Sequence, residues 1–262
     1  MPLGASRLSF LAKTAEAAAE TTSDSSIEFR AGDYGYIDAL TASSTSNPYS
    51  VFMWFYIDSG YGVSNYQFLT ESFRNGIHAM RIQIENSKLT CDVRNSSNGA
   101  ILRGQSTSTI SADTWYAVWL SYDPSTTTNR GFYYQEYGSA TVNSISFSTN
   151  TTGTYQSGYY DTTKDIGIAA RGANGAVATR GNIAEFWIDD TMRDFTSSTN
   201  RQKFVDSSGN PVDLGSDGST PFSAQPPIYI AGSNMLTTNR GDDGTTPTYS
   251  GSPPLGSAVG TI

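Results

Sequence analysis

With 262 residues the chain is long enough for one large all-β domain or two small ones, and its 24 acidic against 16 basic residues leave a net charge of −8. No Lys/Arg cluster stands out and no stretch approaches the roughly 20 apolar residues that cross a bilayer as a helix, which argues against nucleic acid and membrane as partners. Aromatic residues reach 12%, and 25 glycines lie with Ser, Thr and Asn between short apolar runs, the profile of many strands joined by turns in one large all-β domain.

The first element in chain order is a helix over residues 6–20, where Leu8, Leu11 and Ala15 fall at helical spacing and the polar "TTSDSS" stops the run. The opening "MPLGASRLSFL" lacks the basic start and the continuous apolar stretch of a secretory signal. Leu3, Leu8, Phe10 and Leu11 form an apolar set around Arg7. Such a set is expected to dock, either back on its own domain or on a neighbouring subunit, with Arg7 as a directional anchor for a carboxylate. Residues 1–26 are therefore expected as an arm, 27–235 as the domain, and the Gly/Thr/Ser/Pro-rich residues 236–262 as an extended tail.

From Ile27 the expected strands follow quickly: "SIEF", "YGYID", "YSVFMWFYID", "YQFLT", "HAMRIQIEN", "KLTCDVR", "WYAVWLSYD", "GFYYQEY", "ISFS", "KDIGIAA", "NIAEFWID" and "PPIYIAG". Turn signals such as "NSSNG" and "YDPSTTTNRG" separate them, and the pattern predicts two packed antiparallel sheets. "YSVFMWFYID" is apolar on both faces and is expected to be central. In "HAMRIQIEN", Met80, Ile82 and Ile84 oppose Arg81, Gln83 and Glu85, which predicts one wet face. A short helix from a Ser198 cap to Val205 precedes a run of turns and a last core strand at Ile228–Ile230.

Chemistry-bearing residues are sparse. Cys91 is the single cysteine and alternates with Leu89 and Val93, so it reads as a small buried hydrophobe, with no disulfide framework and no sign of oxidative secretion. His78 is the only histidine, which removes a Ser–His–Asp triad or a multi-histidine metal site and leaves a polar surface residue as the expectation. No cofactor is expected. A structural calcium is held open at "GDDG" (241–244) or "YDTTKD" (160–165), neither of which has the spacing of a defined calcium loop. Tyr155, Tyr159 and Tyr160 lie in a turn-rich stretch and are the best recognition candidates, since tyrosine offers a flat apolar face with a hydroxyl tip for a glycan or protein partner; the alternative is that they cap the sandwich edge.

Three stretches together resemble the laminin-G-like branch of the concanavalin-A-like jelly rolls: "IEFRAGDYGYIDA" with "YSVFMWFYID", then "WYAVWLSYD" with "RGFYYQEYG", then "DIGIAARGANGAVATRGNIAEFWIDD". The resemblance covers about residues 27–190 and implies an all-β, antiparallel two-sheet jelly-roll sandwich. "MPLGASRLSFL" and "NRQKFVDSSGNPVDLGSDGSTP" further resemble laminin-G-like proteins encoded by tailed phages and prophages. That second resemblance implies a virion structural protein, with other virion proteins and copies of itself as partners and the virion as its location. A carbohydrate-binding module for host glycan is the alternative from another class.

The jelly-roll superfamily includes glucanases, so "NIAEFWIDD" (182–190) raises the question of a catalytic pair. Strict alternation would put Ala184, Phe186 and Ile188 on one face and Glu185, Trp187 and Asp189 on the other, with Asp190 turned away. The three-acid strand of laminarinase-type members has Trp187 at its central position here. Glu185 and Asp189 are therefore expected as solvated strand residues or as an inter-subunit contact, no catalytic residue is assigned, and a glycoside hydrolase remains the weakest of the three readings.

Overall fold

The computed structural model describes residues 25–30, 32–37, 48–60, 66–74, 77–95, 97–153, 165–171 and 179–260, with the backbone alone at Arg74 and Ile77. The expected helix at 6–20 and the anchor residues Leu3, Arg7, Leu8, Phe10 and Leu11 lie outside the described residues. In chain order the first strands are β1 (Ser26–Phe29), β2 (Tyr34–Ile37), β3 (Tyr49–Ile57), β4 (Gln67–Arg74), β5 (Ile77–Glu85), β6 (Lys88–Arg94), β7 (Ala100–Gln105) and β8 (Trp115–Tyr122). Then come β9 (Gly131–Glu136), β10 (Val142–Ser144), β11 (Phe147–Asn150), β12 (Asp165–Ile168), β13 (Gly181–Asp189), the single-turn helix α1 (Ser198–Arg201), β14 (Ile228–Ile230), β15 (Thr248–Ser250) and β16 (Leu255–Gly256).

These strands form two antiparallel sheets, as expected from the alternating runs. The first has the order β10-β9-β8-β3-β13-β1-β16, and the second β11-β7-β6-β5-β4-β12-β2-β15. β14 pairs the second half of β13 through Phe186↔Ile230 and Ile188↔Ile228, while β1 pairs the first half through Ile27↔Ile183 and Phe29↔Gly181. The inter-sheet core is filled by Met53, Phe55, Ile183, Phe186 and Ile188 from the first sheet and by Met80, Ile82, Ile84, Cys91, Val93 and Ile166 from the second. Cys91 is thus the buried hydrophobe its alternation predicted, and burial pushes its thiol pKa up.

β3 is buried along its whole length, as its two apolar faces require. Its second face, with Phe52, Trp54 and Tyr56, joins Trp119 and Trp187 in a second apolar cluster on the outside of the first sheet. Phe195, Phe204, Val205, Leu214 and Phe222 cover that cluster, so the turn-rich stretch after β13 is a lid of core residues over the apolar part of the sheet's outer face. Phe204 is its hub, with ring centroids 4.6 Å from Phe52, 5.1 Å from Trp187 and 5.6 Å from Phe195. The indole of Trp187 donates to the Gly218 carbonyl at 3.1 Å, so the polar edge of that ring is also satisfied. The helix in this stretch is one turn long, and its N-cap is Ser197, where the sequence pointed to a Ser198 cap and a run to Val205. The expected tail, 236–262, lends a strand to each sheet: β15 pairs β2 and β16 pairs β1.

β13 departs from strict alternation. Ala184 pairs Trp54 and Trp187 pairs Phe52, so Glu185 and Phe186 together oppose Met53. This is a β-bulge with Glu185 at φ +49°. It moves Ala184 to the outer cluster with Trp187, while Phe186 and Ile188 stay in the inter-sheet core, which corrects the grouping that simple alternation gave.

Because Phe204 is the shared neighbour of four rings, those three and Phe222, Phe204→Ala should lower unfolding free energy by about 3–5 kcal/mol. Urea denaturation followed by tryptophan fluorescence measures this, and a loss under ~1 kcal/mol would mean that the lid is not part of the cooperative core.

Candidate functional site

The acids that raised the catalytic question are structural, and neither is solvated. Glu185 sits fully buried in the bulge, and Asp189 is 3% exposed. Asp189 accepts from Arg193 Nε and from the Thr191 amide, at 2.6 and 2.9 Å, so it ties the end of β13 to the loop that starts the lid. Burial pushes its pKa up, opposed by Arg193. Asp190, by contrast, is exposed. Tyr155, Tyr159 and Tyr160 lie outside the described residues, as do residues 160–164 of the second calcium candidate. In the first, Asp243 hydrogen-bonds Thr245 and the Asp242 amide donates to the Pro226 carbonyl. Among the described residues no three carboxylate, histidine or cysteine groups converge on a point a cation could fill.

Charged chemistry concentrates on the outer face of the second sheet. Met80, Ile82 and Ile84 point inward from β5, so Arg81, Gln83 and Glu85 point out. The register sets Glu71 opposite Arg81, Arg81 opposite Asp92 and Asp92 opposite Arg103, giving a row of alternating charge across β4, β5, β6 and β7. Phe73 and His78 form the next row, and Phe68, Gln83, Thr90 and Gln105 the row on the other side. The wet face expected for β5 is only partly wet: Glu71, Gln83 and Asp92 are fully buried, and His78 is 7% exposed.

Asp92 is the electrostatic centre. Its Oδ2 accepts from Arg81 Nη2 at 2.9 Å and from Arg94 Nη2 and Nε at 2.9 and 3.1 Å. Burial alone would raise its pKa; the His78 contact and the two guanidinium groups outweigh that and hold it down at about 2. Glu71 has weaker company, with Arg171 Nε at 3.3 Å and His78 Nδ1 at 3.8 Å, neither in hydrogen-bonding geometry. Burial therefore dominates over the nearby Arg171 and Arg81, and its carboxyl is pushed up to about 7. His78 stands between the two acids, 3.9 Å from Asp92 Oδ2 on its other nitrogen, and burial lowers its pKa. It is a buried bridge, not the surface residue expected from a lone histidine.

At the exposed end of the face stands Tyr66, 48% exposed, whose hydroxyl donates to Glu85 Oε1 at 2.9 Å. Gln83 Nε2 donates to Glu85 Oε2 at 3.0 Å, and the half-exposed Arg103 reaches the same oxygen at 3.7 Å. Tyr66 was not singled out in the sequence, since only the register across β4 and β5 shows that Glu85 holds its ring. The face thus offers an aromatic plate, guanidinium and amide donors, and carboxylate acceptors in one plane. It is poorly suited to hydrolysis, because the Asp92 oxygen nearest the other groups is spent on two arginines and both buried acids are sealed from a glycosidic oxygen.

No protein-family model and no curated protein matches the sequence. Among solved structures the chain is similar to a candidate carbohydrate-binding protein from Bacteroides ovatus, with a TM-score of 0.55 and 13% identity over 91% of this chain and 60% of that one. It is also similar to the heptameric SAP-like pentraxin of Limulus polyphemus, with a TM-score of 0.47 and 10% identity over 66% and 78% of the two chains. The LG1-3 region of the laminin α2 chain gives 0.47 and 14% over 67% and 33%. The chain spans less than two thirds of the Bacteroides protein and a third of the laminin region. The likeness to the Bacteroides protein is one of fold, and with the two observed sheets it bears out the all-β, antiparallel jelly-roll sandwich, while the helical arm expected before it lies outside the described residues.

The two buried acids act oppositely on stability. Glu71 has its folded pKa raised from 4.5 to about 7, so its contribution is full below the unfolded value and is lost as pH rises through 7. Asp92, lowered from 3.8 to about 2, contributes above the unfolded value and loses that contribution as pH falls toward 2. Glu71→Gln should therefore gain on wild type between pH 5 and 8, by roughly 3 kcal/mol at the alkaline end, in thermal melts across that range. Parallel curves for the two proteins would show that Glu71 is ionised throughout.

Proposed function

We propose that this domain is a non-enzymatic carbohydrate-binding module that engages glycan on the outer face of its second sheet. The observation that carries the reading is the Tyr66–Glu85–Arg103 group at the rim of the alternating-charge row. A sugar stacks on an aromatic face while its hydroxyls both donate and accept, and here the ring is held by the carboxylate that, with the neighbouring guanidinium, would meet those hydroxyls. The likeness in fold to a candidate carbohydrate-binding protein is consistent with this but does not assign a site. Tyr155, Tyr159 and Tyr160 belong to the segment that leads into β12, the neighbour of β4, and are proposed as further contacts.

Display on a phage particle, anchored through Leu3, Arg7, Leu8, Phe10 and Leu11, is the leading reading of the sequence, with carbohydrate binding as its alternative. It rests on resemblance alone and draws nothing from the fold. Glycan recognition is therefore the primary reading, and a virion is one setting in which such a domain would work.

A glycan array followed by calorimetry on the best ligand tests the proposal. Tyr66→Ala should weaken binding roughly 3- to 10-fold, the loss of one stacked ring, with circular dichroism unchanged. Arg103→Ala should weaken it as well, and the ligand should be recovered uncut. A wild-type protein that binds nothing on the array, or that cleaves its ligand, would overturn the reading.

A further inference from the structure

A concave site lies on the opposite side of the sandwich from that face. It is an open cleft of about 840 Å³, lined by residues of β1, the end of β3, the start of β13 and β16. That volume falls within the range typical of small-ligand sites. Its floor is a cross-strand row on the outer face of the first sheet, because Glu28 pairs Asn182 and Asn182 pairs Tyr56. Ile27, Phe29 and Ile183 point into the inter-sheet core, so Glu28 and Asn182 face out. The lid over the Phe204 cluster draws its apolar cover from residues 195–222, none of which lines the cleft.

Two ion pairs form the walls. Arg30 Nε meets Glu28 Oε1 at 2.9 Å, and Arg180 Nε meets Asp58 Oδ2 at 3.3 Å. Each guanidinium is thus neutralised through Nε, and its two terminal amino groups remain as donors. Two cations against two anions leave the cleft with no net charge. An anionic ligand would meet Glu28 and Asp58 as well as the arginines, whereas a hydroxyl can accept from a guanidinium and donate to a carboxylate without breaking either pair.

The floor is also shaped to stay open and fixed. Gly181 has φ +146°, and a Cβ there would sit 1.9 Å from the Tyr56 carbonyl oxygen. A Cβ on Gly256 would sit 2.2 Å from Asn182 Nδ2, the atom that donates to Ser26 Oγ at 2.9 Å. The Tyr56 hydroxyl is tied to Asp113 at 3.0 Å, which sets the ring at the back of the floor. Leu255, 41% exposed, adds an apolar edge.

We infer that this cleft is a second binding site, for an uncharged, hydroxyl-rich glycan, and that the domain is bivalent, with one site on the outer face of each sheet. The carbohydrate reading supplies only the ligand class; the site stands on its own geometry. Two sites facing away from each other let one domain bridge two chains or two branches of a polysaccharide, which raises avidity without new contacts.

Stoichiometry by calorimetry separates the two sites, using cellohexaose, laminarihexaose, xylohexaose and maltohexaose as neutral probes and oligogalacturonate as the anionic one. Ser257 is exposed at the cleft rim, so Ser257→Tyr should fill the cleft while the fold stays intact by circular dichroism. Wild type should bind a neutral probe with two sites per chain, and Ser257→Tyr with one. Arg180→Ala should weaken the same site several-fold, as a second check should the tyrosine disturb β16. One site that is lost in Tyr66→Ala and unchanged in both cleft variants would overturn the cleft and leave the proposed function standing. One site lost in the cleft variants and unchanged in Tyr66→Ala would support the cleft and overturn both the Tyr66 face and bivalency. Binding of oligogalacturonate alone would overturn the ligand class, and no binding at all would overturn both proposals.

Discussion

The arrangement of the whole molecule follows from one constraint: the centre of the first sheet, around β3, is apolar on both sides. Tyr49 to Ile57 alternate into two cores, with Met53 and Phe55 facing the second sheet and Phe52 and Trp54 facing outward. An uncovered outer face bearing four tryptophans would be a large apolar patch of the kind that drives association. The chain therefore spends some forty residues after β13 on a cover with little regular structure of its own, whose Phe195, Phe204, Leu214 and Phe222 complete the second core. The second sheet is free of that demand, and its outer face gathers arginines, acids, glutamines and a histidine, while on the first sheet charge is left to the cleft beyond the lid.

The bulge at Glu185 shows how much of this depends on a single extra residue. Without it, Trp187 would share a face with Ile183 and enter the inter-sheet core, and Phe186 would be pushed out into the lid. With it, β13 serves both cores in the right order. A buried glutamate at positive φ is a costly place to put the irregularity, so the two-core design sets the backbone there and local propensity does not.

The strong strands were legible because their burial is written in residue type: β3, β8 and β13 are runs of aromatic and β-branched residues bounded by turns. β7 went unread, since "AILRGQ" holds a Gly and an Arg and looks like a loop; in the fold, the position that lacks a Cβ at Gly104 packs against Phe147 of its antiparallel neighbour β11 and against Ile145 just before it. β15 and β16 hide in a Gly/Thr/Pro-rich stretch whose only claim to order is the partner it meets. The polar face was illegible for a deeper reason. His78 reads as a surface residue and Glu71 and Asp92 carry no local signal at all; only the register of β4, β5 and β6 makes the three neighbours and gives two carboxyls opposite titration behaviour. Register across a sheet is a tertiary fact, and no local window holds it.

β15 and β16 have a kinetic consequence. Each borders a strand from the first forty residues, and the Ser26 hydroxyl bonds the Ser257 carbonyl across 231 positions. Closing so long a loop gains nothing until both ends are in place, so these pairings form late. Until then β1 and β2 present bare edges, and a second chain can donate its own residues 248–256 as readily as the first. The route to an exchanged dimer is therefore built into the topology, with protein concentration during folding deciding how often it is taken.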